Sequence, residues 1–424
     1  MRIPVFLLFI CPFLASAQKS IHFEEGLTWQ ELKDRAKAEN KFIFVDCFAT
    51  WCGPCKLMDE NVYSNDSVVN VVNESFVSVK VQCDTSKSDN GKIKSWYSDA
   101  HFISNEYNIN SYPTFLFLTP DGKIVHEAIG YQKPQSFVNL CQDALNPGKQ
   151  YFTLLQSYRD GNRDYSKMPY LASTSWKLKD SKLALSIAAD YKDNYLYNLS
   201  DEAFCTKNNL DFITAYPQNI TSKDKILNWC LLHPTFVDSA INSEGFSRRL
   251  VSYVINKEKS AVFRSKAKER GKSPDWAKLS REIRYEFGAT YVERNILIAK
   301  IDWYKGVEDW KNYTKYLIAK LEYDTIEKSP KTRAGFVRLN DNAWEVFEHS
   351  ENKAELEKAI TWTNLAIDID SKDGIPVDTK ANLLYKLGRT DEALKLEAKA
   401  AQLSPNNTEI QQAYKKMLEG KPTW

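Results

Sequence analysis

The chain has 424 residues, too many for one ordinary hydrophobic core, so we expect two or three domains. The formal net charge of +2 gives no electrostatic basis for binding nucleic acid or an anionic membrane. Glycine and proline are scarce, at 15 each, which disfavours an all-β domain and suits helices.

The N-terminus has the layout of a cleavable secretory signal over residues 1–17. Its first two residues supply positive charge, residues 5–14 form the apolar run VFLLFICPFL, and Ala15 and Ala17 mark an A-x-A cleavage pattern. The run is shorter than the ~20 apolar residues of a membrane anchor. We expect an exported protein with no membrane insertion, most naturally in a periplasm, with an extracellular space or secretory lumen as alternatives. A buried first strand is the other interpretation of this run.

Residues 18–147 carry the pattern of an α/β domain. The run KFIFVDCFAT at 41–50 is apolar and rich in β-branched and aromatic residues, which predicts a buried strand of a parallel sheet. A helix follows at once, so the segment Trp51-Cys52-Gly53-Pro54-Cys55-Lys56 lies at a strand-to-helix junction. Further along we expect a strand at 76–84, a hairpin with an Asp-Gly turn at 112–130, and an amphipathic helix at 135–145.

This order of elements resembles the thioredoxin family over roughly residues 25–147. The segment from Trp51 to Lys56 looks like the redox motif of that family, and Asp46 matches its buried acid. Lys80 falls where the family has the lysine that approaches that acid, and Pro113 matches its cis-proline. A lone CxxC is a weak signal, but these features together are specific.

The resemblance implies a role for each matched residue. Cys52 is expected to be the exposed attacking thiol, activated by the helix N-terminus, and Cys55 the buried thiol that resolves the mixed disulfide. Asp46 would have a raised pKa and relay a proton to and from Cys55. Pro113 would fix a backbone edge for an extended substrate, and Tyr112 would line the substrate face.

The remaining motif residues support these roles. Trp51 and Gly53 belong to the motif itself, and Lys80 accompanies the acid. Pro54 suits the start of a helix because it lacks an N–H group that would have no partner there. The resemblance implies no cofactor beyond the redox-active Cys52–Cys55 disulfide.

Other interpretations of these residues stay open. A structural zinc site needs four ligands, and one CxxC with 5 histidines at no ligand spacing does not supply them, so we expect no metal. The motif could be vestigial, and Asp46 a satisfied core acid. Cys47 and Cys83 fit the sheet core as small hydrophobes, with a regulatory disulfide as the alternative.

After residue 147 the strand patterns end and apolar residues recur at helical spacing, which predicts an all-α region. We divide it into residues 148–339, for which divergent repeats are one interpretation, and residues 340–424. The segments 357–370 and 391–404 align at an offset of 34 residues, which resembles tetratricopeptide repeats. A generic helical bundle is the alternative for the whole region, and a disulfide between Cys205 and Cys230 is a further option.

The sequence therefore predicts an exported thiol–disulfide oxidoreductase, a reductase of protein disulfides with a helical arm that binds clients or partners. Its partners would be disulfide-containing envelope proteins and a membrane electron-relay or redox protein. The alternatives are an isomerase or oxidase on the same scaffold, and a non-enzymatic binding protein built on the repeats.

Overall fold

The computed structural model describes residues 20–424, apart from the side chain of Glu327. The predicted signal at 1–17 lies outside the described residues. The described chain divides into two compact units, the first ending at Asn219 and the second running from Ile220 to Trp424. Over this part of the chain, every helix is too short or too polar to cross a bilayer.

The described part of the first unit contains one four-stranded mixed sheet. Its strands are β1 (Phe42–Phe48), β2 (Phe76–Gln82), β3 (Thr114–Leu118) and β4 (Ile124–Ile129), in the spatial order β2-β1-β3-β4. β1 and β2 are parallel, whereas β3 is antiparallel to both β1 and β4. The two central strands are buried on both faces, which explains why both are apolar runs. Each strand lies within the segment predicted for it.

Helices cover both faces of this sheet, and each face has its own hydrophobic cluster. One face packs against Leu32 and Ile103, and the other against Met58, Val72 and Phe137. The segment 85–106 forms two of these helices. In chain order the helices are α1 (Trp29–Glu39), α2 (Gly53–Asn61), α3 (Asp66–Ser75), α4 (Gly91–Ser95), α5 (Tyr97–Glu106) and α6 (Pro134–Ala144).

Five further helices complete the first unit. The Tyr151 N–H donates to His126 Nδ1 at 3.0 Å, which ties the first of them to β4. Burial lowers the pKa of His126 to about 4, so its ring is a neutral acceptor at pH 7. The Lys179 ammonium contacts the Ser111 hydroxyl, in the loop before β3. These helices are α7 (Tyr151–Arg159), α8 (Met168–Lys177), α9 (Ser181–Asn194), α10 (Asp201–Phe204) and α11 (Lys207–Ala215).

The second unit is built from helices throughout its described length. They are α12 (Lys225–Leu232), α13 (Pro234–Ile241), α14 (Phe246–Ile255), α15 (Ala261–Glu269), α16 (Trp276–Phe287), α17 (Val292–Gly306), α18 (Trp310–Tyr323), α19 (Arg333–His349), α20 (Lys353–Ile369), α21 (Ile375–Lys386), α22 (Thr390–Leu403) and α23 (Thr408–Leu418). One π-helical turn, Asn256–Ser260, joins α14 to α15.

The aligned segments at the C-terminus form the second helices of two successive hairpins, α19–α20 and α21–α22. Four alanines at equivalent positions of α20 and α22 are fully buried: Ala359, Ala366, Ala393 and Ala400. Gly388 ends α21 with a φ of +82°, a conformation that favours glycine. The predicted boundary at 339/340 falls inside α19. That helix begins earlier, at Arg333, where the Thr332 hydroxyl caps it.

Candidate active site

The CxxC segment joins the end of β1 to the start of α2. Cys52 is the N-cap residue of α2, with φ −76° and ψ 105°, and Pro54 lies in the first helical turn. Cys52 and Cys55 form a disulfide. Cys52 Sγ accepts a hydrogen bond from the Cys55 N–H at 3.1 Å. When the disulfide is reduced, the same N–H and the helix dipole stabilise a thiolate at Cys52.

In this oxidised state the two cysteines have similar, very low exposure to solvent. Cys52 is 2% exposed and Cys55 is 5% exposed, so the expectation that Cys52 would be open to solvent is not met. Both pack with Ala49 against the side chains of Phe48 and Tyr112. What distinguishes Cys52 is its cap position, which places its sulfur at the unpaired amide of the helix start.

Asp46 and Lys80 are direct partners in the parallel register of β1 and β2. Asp46 is 2% exposed, and Lys80 Nζ lies 3.7 Å from its Oδ2. Burial raises the pKa of Asp46 to about 6, and the Lys80 charge opposes that shift. The buried Tyr63 hydroxyl faces the carboxylate without completing a hydrogen bond of good geometry, and Asp46 Oδ1 has no hydrogen-bond partner among residues 20–424. The site therefore holds a buried carboxyl group whose pKa lies above its usual range.

Asp59 is a member of this cluster that the sequence analysis did not single out. Its carboxylate forms an ion pair with Lys80, so the lysine bridges the buried Asp46 and the exposed Asp59. Asp59 follows Cys55 by four residues, which places both on one face of α2. That spacing was the one signal the sequence offered for Asp59.

The loop before β3 forms the wall beside the disulfide. The Tyr112–Pro113 peptide bond is cis, and the Pro113 carbonyl accepts from the Gly130 N–H at 2.8 Å. The Tyr112 ring meets the Trp51 ring edge-to-face, with centroids 5.9 Å apart. Trp51 is 71% exposed, an unusual position for a large aromatic side chain. Together these residues present an aromatic surface next to the reactive sulfurs.

Cys47 lies on β1 and interacts with Cys83, which directly follows the end of β2, and both keep their thiols. Hydrogen bonding from Cys47 lowers the pKa of Cys83, whose thiol also contacts Tyr112. Cys230 keeps its thiol as well, so it forms no disulfide with Cys205. Within residues 20–424, no group of three or more His, Cys, Asp or Glu side chains is arranged to hold a metal ion.

Comparisons with known proteins agree on the nature of the first unit. A family model described as a thioredoxin-like domain matches residues 29–145. Thioredoxin-2 of Pyricularia oryzae is 34% identical over 107 residues, which is 25% of this chain and 50% of that protein. The thioredoxin of Mycoplasmoides gallisepticum is 33% identical over 101 residues, 23% of this chain and 79% of that protein.

Among solved structures, a putative disulphide-isomerase from Bacteroides thetaiotaomicron is similar. It is 28% identical and the match covers 30% of this chain and 95% of that one, with a TM-score of 0.25. The chain spans about half the length of the first curated relatives that it matches. The residues that the family model matches include the Cys52–Cys55 disulfide.

Proposed function

Because the chain belongs to the thioredoxin family through residues 29–145, we propose that it reduces disulfide bonds of client proteins by dithiol exchange. The observation that carries the proposal is the position of Cys52. Its sulfur caps α2 and accepts the Cys55 N–H at 3.1 Å, the arrangement that favours a nucleophilic thiolate.

The exchange runs in two steps. The Cys52 thiolate attacks one sulfur of a client disulfide, which forms a Cys52–client mixed disulfide and releases the other client sulfur as a thiolate. Cys55 then loses its proton and attacks Cys52 Sγ, which forms the Cys52–Cys55 disulfide and releases the second client thiolate. Two electrons pass to the client, and the two client thiolates take up protons.

Asp46 provides the proton chemistry of the second step. Cys55 has to lose a proton before it attacks, and a carboxyl group with a pKa near 6 accepts one at neutral pH. The unpartnered Oδ1 of Asp46 leaves that carboxyl group free to exchange it. Lys80 limits the rise in the pKa of Asp46, so that the acid is largely ionised at pH 7.

The Gly53-Pro54 pair supports reduction as the direction of the reaction, because it resembles the reducing members of the family. The reduction potentials of thioredoxin and of the strong periplasmic oxidase differ by roughly 150 mV, or about 7 kcal/mol for two electrons. A difference of that size is large enough to decide whether a dithiol reduces or oxidises its client. An isomerase or oxidase on the same scaffold is the alternative.

The N-terminal signal pattern supports work outside the cytosol, most naturally in a periplasm. A reductase there needs a supply of electrons, so a membrane electron-relay protein is the second partner that we propose. The helical hairpins of the second unit, which resemble tetratricopeptide repeats, would hold the client protein while the dithiol acts.

A trapping experiment tests this function. The variant Cys55→Ser cannot resolve the mixed disulfide, so it should accumulate covalent adducts with disulfide-bonded clients. Dithiothreitol should reduce these adducts and release the clients. The double variant Cys52→Ser/Cys55→Ser is the matched control and should trap nothing. Equal trapping by both variants, or none by either, would exclude exchange through Cys52.

A further inference from the structure

The second unit contains a cavity of about 720 Å³ that the redox chemistry does not use. Its walls come from α19, α21 and α23, the first helices of the hairpins and the helix that follows them. The cavity therefore lies along one side of the stacked hairpins, where a chain of another molecule can reach it.

Negative charge dominates the lining of this cavity. Five carboxylate side chains line it, against one ammonium group, that of Lys416. Glu345 is already engaged by Lys305 at 3.1 Å and by the Tyr313 hydroxyl at 2.6 Å. The other four carboxylates are those of Asp341, Glu348, Asp378 and Glu409. A ligand of positive charge is the one that this lining favours.

Two buried amides in the lining have oxygen atoms that find no hydrogen-bond partner in the described part of the chain. Asn382 is 1% exposed, and its Nδ2 donates to the carbonyl of Asp378 at 2.9 Å and to its carboxylate at 3.0 Å. Those bonds fix the orientation of the amide and leave Asn382 Oδ1 unpartnered. Asn340 is 6% exposed, and its Oδ1 is also unpartnered. A buried acceptor without a donor costs about 1–3 kcal/mol, so both positions favour a ligand that brings N–H groups.

A fully buried acid lies behind Asp378. Glu397, on α22, has no exposed surface, and its two oxygens have no hydrogen-bond partner of good geometry. Burial and the Asp378 charge raise the pKa of Glu397, and burial raises that of Asp378 as well. Asp378 is the member of the pair that lines the cavity, whereas Glu397 lies behind it with no exposed surface.

We propose that this cavity binds a basic segment of a partner polypeptide, with an arginine or lysine side chain inserted toward Asn340, Asp378 and Asn382. The cationic N–H groups would donate to the two amide oxygens and to the Asp378 carboxylate. The inference rests on the client-binding role proposed for the second unit and gives that role its chemistry. It is independent of which way the dithiol transfers electrons.

Calorimetric titration of the full chain with defined peptides tests the proposal. The probe is the blocked pentapeptide acetyl-Ala-Ala-Arg-Ala-Ala-amide, and its control replaces arginine by citrulline, which has nearly the same shape and no charge. We expect saturable binding of the arginine peptide and at least about tenfold weaker binding of the citrulline peptide, as expected for hydrogen bonds to a charged group. Spermidine serves as a third ligand, because a free polyamine carries the same chemistry.

Two variants locate the site. Asp378→Asn should weaken the arginine peptide at least about tenfold, whereas Asp391→Asn, an exposed acid of α22 outside the cavity lining, should leave binding unchanged. If Asp378→Asn does not fold, as judged by circular dichroism, Glu409→Gln on the rim takes its place and should weaken binding in the same direction.

The outcomes separate this inference from the redox function. Absence of saturable binding, equal losses in the two aspartate variants, or binding of spermidine without the peptide would each overturn the basic-peptide site. Reduction of insulin by the same preparations is the parallel readout, and it should be unaffected by Asp378→Asn. A failure of insulin reduction in the unmodified chain would refute the redox function and leave the peptide result intact.

Discussion

The two units of this protein place function in different kinds of residue. In the first unit the proposed chemistry would depend on thiols and a buried acid, whose types and spacing would be set by the reaction that we propose for them. In the second unit the candidate site depends on carboxylates and on amide oxygens that lack partners, gathered from three helices. A site for covalent chemistry can therefore be found from a short sequence motif. A binding site such as this one becomes visible only when the helices are assembled in the fold.

The largest expected effect is confined to the first unit. Cys52→Ser removes the attacking sulfur, so we expect insulin reduction to fall by about 10³-fold or more. Cys141→Ala is the control, because it removes a fully buried thiol of the same unit whose pKa burial raises strongly. A Cys52→Ser protein that keeps more than a tenth of the activity would contradict the assigned role.

Replacing the buried acid should stabilise the first unit. Burial raises the pKa of Asp46 to about 6, so its ionised form weakens the fold by about 3 kcal/mol at most above pH 6. Because the folded acid holds its proton more tightly than the unfolded one, stability falls as the pH rises from about 4 to 6. The Asp46→Asn variant should therefore be more stable than the unmodified chain by up to that amount at pH 8 and by little at pH 4. It should also reduce disulfides more slowly.

Amide hydrogen exchange of β1 measures this gain within the first unit alone. Asp59→Asn is the matched control, since it removes the other acid that pairs with Lys80 from a largely exposed position. We expect no comparable gain there. An Asp46→Asn protein whose β1 amides exchange faster at pH 8 would contradict the burial penalty.

A smaller effect should be confined to the second unit. A methyl group added at Gly374 would meet the Ala400 carbonyl oxygen at 2.7 Å and the Ser404 hydroxyl at 2.5 Å. Gly374→Ala should therefore destabilise the packing of α21 on α22 by about 1–3 kcal/mol, as overpacking does. Faster hydrogen exchange in these two helices, with unchanged insulin reduction, is the expected result. Loss of reduction would show that the redox site depends on this packing.

The smallest effects compare one helix cap in each unit. Thr28 and Glu31 form a reciprocal capping box at the start of α1, and the Asn352 side chain accepts the Ala354 N–H at the start of α20. Thr28→Ala and Asn352→Ala should each cost about 1 kcal/mol in their own unit. Hydrogen exchange measures the loss of stability in each unit separately. A cap variant that destabilises the other unit would contradict the independence of the two units.

The sequence predicted the sheet and its reactive segment because those signals are local. β1 and β3 are largely apolar runs, and the CxxC follows a strand with Pro54 at a helix start. The partnership of Asp46 with Lys80 followed from the family resemblance, and the strand register places the two side by side. Both inferences depend on residues whose positions are set by neighbours in the chain or by a known fold.

Other features depend on distant contacts and were not predicted. The near-complete burial of Cys52 reflects Phe48 and Tyr112, and the packing of α7 on β4 requires the His126 acceptor. The unpartnered oxygens of Asn340 and Asn382 exist only because three helices enclose them. Periodicity predicts that these residues are helical, but not that their amides lack donors.

The reduction potential of the Cys52–Cys55 pair tests the central claim most directly. The protein would be equilibrated with defined thiol buffers, and the alkylated cysteines counted by mass. A reductase predicts a potential near or below about −250 mV. A value above about −180 mV would contradict that direction and favour an oxidase or isomerase, and a pair that does not titrate would contradict redox function altogether.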